Sequence, residues 1–147
     1  MKLCTASETL SFIRGQEEKA AKFYQELSKR YPEKAEAFAS YAKDNDKYNT
    51  MVQRSYQSVI TDAIEGCYAF NLESDEFVFN TDLPKGAGLP EAAKKALEIE
   101  DVIVGLYNKA ADQSMSLLAD VPRTFKIVVK KRGERIAALD SMKKAKG

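Results

Sequence analysis

Four sets of side chains in this sequence have the type and spacing to form one polar site: Glu17, Glu100, the pair Asn45 and Tyr48, and the pair Arg132 and Arg135. Carboxylates hold cations or pass protons, guanidiniums hold carboxylates, and a carboxamide and a phenol complete the hydrogen bonds of either. Histidine is absent from the chain, and with it the commonest metal ligand and the usual general base near neutral pH. Most hydrolase and metalloenzyme schemes are thereby excluded, and no residue is assigned a catalytic role. Cys4 and Cys67 form no Cys-x-x-Cys pair and read as two unpaired thiols in a reducing compartment.

Each of these residues falls on a stripe with the three- and four-residue steps of a helix face. Leu10, Ile13, Glu17, Ala20, Tyr24 and Leu27 make one such stripe; Phe38, Tyr41, Asn45, Tyr48, Val52 and Val59 make a second, with Ser55 as its polar step. Ala93, Ala96, Glu100, Ile103, Tyr107 and Ala110 make a third. The fourth has two registers. One runs through Phe125, Val128, Arg132, Arg135, Leu139 and Met142; the other runs through Phe125, Val129, Arg132, Ile136 and Leu139 and pushes Arg135 to the flank. Arg132 faces inward in both. Charge on an apolar seam is costly unless paired, so polar groups at similar depth on four helices predict a shared cluster. Tyr24, Tyr48 and Tyr107 read as core aromatics with satisfied hydroxyls.

The helices that carry the stripes are expected at about 5–30, 32–64, 90–118 and 122–145. Thr5-Ala6-Ser7-Glu8 is a capping box for the first, Pro32 and Pro90 suit first turns, and Asp120-Val121-Pro122 caps and opens the last. Lys143, Lys144 and Lys146 favour that helix's C-terminal end. Residues 65–89 break the pattern with Gly, Pro, Asn and Asp, and read as a long crossover anchored by Tyr68, Phe70, Phe77 and Phe79, with two short extended pieces. Two antiparallel helix pairs joined by one long crossover make an all-α, ferritin-like four-helix bundle in a single domain over 1–147.

The chain is 44% hydrophobic over 147 residues, enough for a core without disulfides or metals. Its 23 basic and 22 acidic residues nearly cancel, so no nucleic-acid or anionic-membrane partner is expected. Polar Thr5, Ser7 and Glu8 follow the first residues directly and no run is long enough to span a membrane, so the chain reads as soluble and cytoplasmic.

Over essentially its whole length the chain resembles the ferritin-like superfamily, and within it the rubrerythrin-related proteins. The family pattern is a Glu followed six residues on by an aromatic pair, then a Glu-x-x-His, with both repeated in the second half. Glu17 precedes Phe23-Tyr24 by that spacing, and Glu100 precedes Leu106-Tyr107. The Glu-x-x-His positions instead read Asn45-Asp46-Lys47-Tyr48 and Arg132-Gly133-Glu134-Arg135. Four of the six ligands implied by the resemblance are therefore replaced, and the family's two Cys-x-x-Cys knuckles are not among these residues.

The departures from the family pattern point to a metal-free bundle with no cofactor, in which two arginines offset two carboxylates where the resemblance implies a di-iron centre. The resemblance also implies a homodimer. A non-catalytic binding or interaction module is the first functional expectation, with a small anion or a protein as partner. The alternative is a rubrerythrin-type oxidoreductase with an atypical metal centre on Glu17 and Glu100. A third reading places a small anion or polar ligand in a cavity beside Asn45 and Tyr48, near the arginines.

Overall fold

The computed structural model describes residues 1–57, 70–113 and 120–144. Four long helices occupy most of them: α1 (Ala6–Arg30), α2 (Ala35–Gln57), α3 (Leu89–Gln113) and α4 (Asp120–Lys144). The expected continuation of the second helix to 64, of the third to 118 and of the fourth to 145 lies outside the described residues, as do Tyr68, Val59, Cys67 and Lys146.

Local chemistry sets the ends. Thr5 Oγ1 accepts the Glu8 backbone N–H at 3.1 Å while the Glu8 carboxylate accepts the Thr5 backbone N–H at 3.1 Å, so two free donors at the start of α1 are satisfied reciprocally. Pro32 opens a single 3-10 turn (Pro32–Lys34) before α2 begins at Ala35, so the second helix is not continuous from Pro32 as its spacing predicts. The turn is tight enough to make α1 and α2 antiparallel neighbours. At the other end of the chain α4 starts two residues before the expected 122, and Pro122 sits in its first turn, where no N–H is needed.

α1 packs along α2 and α3 along α4, and the two pairs meet chiefly through α2 against α4. Ala, Leu, Ile and aromatic side chains fill the space between them: Ile13, Ala20, Phe38, Val52, Ala96, Ile103, Leu106, Phe125, Val128 and Leu139 are all buried. Val128, Arg132, Arg135, Leu139 and Met142 are the buried stripe of α4, while Val129 and Ile136 are only partly covered, which settles its register.

The described part of the connection between the pairs lies against α1 and α3. Leu72–Glu73 (β2) pairs antiparallel with Lys2–Leu3 (β1), with Leu3 opposite Leu72, and both leucines are fully buried. A 3-10 turn (Ser74–Phe77) follows, so Phe77 is anchored from a turn and not from the second extended piece that the aromatics suggest. Beyond it the chain is tied by its carbonyls: Gln16 donates to Phe77 O, Lys19 to Phe79 O, Arg30 to Pro84 O, and Tyr31 Oη to Ala87 O at 2.6 Å. Phe70 and Phe77 are buried against the helices, and Phe79 is partly covered beneath the Lys19 ammonium.

Candidate functional site

Glu17, Asn45, Glu100 and Arg132 each sit near the midpoint of their helix, so four helices bring polar groups to one level of the core. The Arg132 guanidinium is the centre. Its Nε and Nη2 donate to the two oxygens of Glu100 at 2.9 and 3.1 Å, and its Nη1 reaches both oxygens of Glu17 at 2.8 and 2.7 Å. Arg132 and Glu100 have no exposed surface and Glu17 has 1%. A fork of this kind matches a carboxylate geometrically, which a lysine ammonium cannot do. Glu100 is held by two nitrogens in parallel, whereas Glu17 shares one nitrogen between its two oxygens, so only one of the two pairs is bidentate in that sense.

Two tyrosines cross between α1 and α3. Tyr24 of α1 donates to Glu100 of α3 at 2.9 Å, and Tyr107 of α3 donates to Glu17 of α1 at 2.8 Å. Each helix thus carries a glutamate and, seven residues on, a tyrosine that bonds the other helix's glutamate. The rings pack outward into aromatic neighbours, Tyr24 against Phe38 and Tyr41, and Tyr107 edge-on to Phe125 at 5.7 Å between centroids.

Arg135, one turn further along α4, is 3% exposed. Its Nη1 donates to Asn45 Oδ1 at 2.5 Å and to Glu100 at 3.3 Å, and its Nη2 to the Tyr41 carbonyl at 2.9 Å. The guanidinium carbon lies 5.0, 4.9 and 5.5 Å from the ring centroids of Tyr24, Tyr41 and Tyr48, so its charge is shared with three aromatic faces. Tyr48 also faces Arg132, at 5.2 Å. The Arg135 Nε has no hydrogen-bond partner, although it is enclosed.

Charge distribution follows the donor count. Burial alone would raise the pKa of Glu100, but Arg132 and Arg135 with the Tyr24 hydroxyl outweigh it and hold the carboxyl below its ordinary value. At Glu17 burial prevails over the pull of Arg132 and Tyr107, and the pKa is raised. Burial disfavours a charged Arg132, yet the two carboxylates hold its pKa well above the usual range. Burial, with Glu100 next to Tyr24 and Glu17 next to Tyr107, pushes both phenols well up, so they remain donors at any physiological pH.

Arg132 occupies the centre that a pair of divalent ions would need, and both carboxylates already spend their oxygens on it. Among the described residues no three His, Cys, Asp or Glu side chains converge on a point. This donor set does not fit a di-metal centre. Asn45 is fully buried and lines no cleft described here, whereas Tyr48 and Arg135 open onto a cleft of about 580 Å³ lined also by Tyr41, Asp44, Lys47 and Lys131.

Tyr41 is the participant that sequence reasoning left out of the site: its place on the stripe was visible, but the carbonyl and ring face it gives Arg135 have no sequence signature. Gln16 was missed likewise, a buried amide that ties down the crossover. Cys4 is partly buried and free, and among the described residues no helix is long and apolar enough to cross a membrane. Compared with known proteins, the chain matches no family model, no curated protein and no solved structure.

Proposed function

We propose that this protein is a metal-free, ferritin-like bundle related to the rubrerythrins, in which a Glu17, Glu100, Arg132, Arg135 and Asn45 network takes the place of the di-iron site. It acts as a non-catalytic binding or interaction module, in the cytoplasm and as a homodimer. The observation that carries this reading is the Arg132 guanidinium, wholly buried and within hydrogen-bond distance of both glutamates. A permanently charged side chain there opposes any cation and supplies the charge balance that metals would otherwise give. The glutamates retained on α1 and α3, each with its tyrosine seven residues on, support the relationship to that family.

Two consequences of the network favour binding over catalysis. Its carboxylates are locked by charge-assisted bonds and shielded from solvent, so no substrate atom reaches them. Of the network, Arg135 reaches a surface opening, where it lines the cleft between α2 and α4 together with Tyr41 and Tyr48. The test is elemental analysis of protein produced with iron and manganese supplied, then dialysed free of loosely held metal. No stoichiometric metal is expected; one ion or more per chain overturns the reading.

A further inference from the structure

The cleft between α2 and α4 is unusual in its hydrogen-bonding inventory. Tyr24, Tyr31 and Tyr107 each give their hydroxyl to a protein acceptor. Tyr41 and Tyr48, which both line the cleft, give theirs to none among the described residues, and neither oxygen is sealed from solvent. Among the described residues Lys131 on the rim has no carboxylate partner, and Lys47 has only Asp44 at the limiting distance of 4.0 Å. At the base, Arg135 keeps an enclosed Nε–H that no described residue accepts.

Each of these groups can donate, and burial holds the Tyr41 and Tyr48 phenols above their ordinary pKa, so they keep the proton they donate. Such an array wants acceptor oxygens. A cation is opposed by Arg135, whose guanidinium already lies against the faces of Tyr41 and Tyr48. Glu134 and Asp44 on the rim act against a highly charged anion. Met51 and the two rings supply an apolar wall, and about 580 Å³ is room for a small organic molecule, more than an inorganic ion needs.

We propose that this cleft binds a small organic carboxylate, its oxygens held by the Tyr41 and Tyr48 hydroxyls and the Lys131 ammonium, with its apolar body against Met51. The inference rests on the reading of the protein as a binding module and names the chemistry of its ligand. With no tryptophan in the chain, tyrosine emission can be followed, with Tyr41 and Tyr48 two of its seven contributors, and the Arg135 Nε–H gives the site-specific signal by NMR.

Benzoate, inorganic phosphate and benzylamine are titrated into the full chain. Saturable changes with benzoate are expected, with phosphate and benzylamine at least about tenfold weaker. Tyr48→Phe and Lys131→Ala, at an opening and on an exposed rim, should each weaken benzoate about tenfold, the loss of one charge-assisted hydrogen bond, with helical circular dichroism unchanged. No saturation at millimolar benzoate overturns the proposal, as does binding that both variants leave intact, or phosphate or benzylamine binding as tightly. Metal content measured on the same preparation tests the metal-free bundle alone, so the two readings fail separately.

Discussion

Arg132 and Glu100 meet through two parallel hydrogen bonds, Nε to Oε1 at 2.9 Å and Nη2 to Oε2 at 3.1 Å, and Glu100 further accepts from Arg135 and Tyr24. Glu17 accepts from one guanidinium nitrogen and from Tyr107. The two glutamates occupy equivalent places on α1 and α3 but are unequally held. Removing one member of a buried ion pair strands the rest, at a cost of roughly 3–5 kcal/mol. Glu100→Gln should fall in that range, because it leaves two guanidiniums short. Glu17→Gln should cost distinctly less, and equal losses in urea unfolding would contradict the asymmetry.

The same asymmetry has opposite signatures in pH. Glu17 has a raised pKa in the folded state, so its contribution is fully present below the ordinary glutamate pKa and is lost as pH rises through the folded value. Glu100 has a lowered one, so its contribution is present above the ordinary value and is lost as pH falls through the folded value. Relative to Glu17→Gln, the unmodified protein should gain stability as the pH is lowered from neutral towards the ordinary glutamate pKa. Relative to Glu100→Gln, it should lose stability below that point. Melting temperatures of the three proteins across this range check both signs.

Arg132→Ala should cost roughly 3–5 kcal/mol, since two buried carboxylates lose their common partner. Lys131→Ala next to it changes an exposed side chain and should stay within about 0.5 kcal/mol. Arg132→Lys should recover little of the loss, because a point charge on a flexible stem cannot serve both oxygens of Glu100 and reach Glu17. Chemical denaturation of the three variants gives the comparison, and full rescue by lysine would mean that charge, not the planar fork, holds the cluster.

Much of this arrangement is written in helical periodicity. Glu17, Asn45, Glu100 and Arg132 stand among apolar residues at three- and four-residue steps, and such positions face inward wherever their neighbours do. Arg135 was ambiguous because α4 carries two overlapping apolar stripes; what decides between them is the Asn45 carboxamide and the Tyr41 carbonyl on α2, a tertiary fact. The spacing from Glu17 to Tyr24 and from Glu100 to Tyr107 was visible, but not that each hydroxyl would cross to the opposite helix. The pairing of β1 with β2 had no signal, since two residues are too short to show alternation. Lys19 and Arg30 look like solvated charges in sequence, yet each donates to a carbonyl of the crossover.

The proposed ancestry makes its strongest claim about positions, and positions are tested by putting the ligands back. Asn45→Glu with Tyr48→His and Arg132→Glu with Arg135→His would restore both Glu-x-x-His motifs, giving four carboxylates and two imidazoles with Glu17 and Glu100. Without metal the combined variant should be much less stable than the parent, because four buried carboxylates then face one another with no guanidinium between them. Cobalt, manganese or ferrous iron should reverse this. Metal that binds only the folded chain stabilises it by about 2.7 kcal/mol at a hundred times its dissociation constant, worth several degrees in melting temperature for a domain of this size. Two ions per chain, by titration calorimetry and by the visible absorption of cobalt, are the expected stoichiometry. Contacts already on hand make the outcome decisive: Arg132 touches both Glu17 and Glu100, and Arg135 touches both Asn45 and Glu100, so the substituted positions are neighbours before any ligand is restored. A variant that keeps its helical signal yet gains nothing from metal would mean that the four helices do not hold these positions at ferritin-like angles, and the relationship to that family would fall with it.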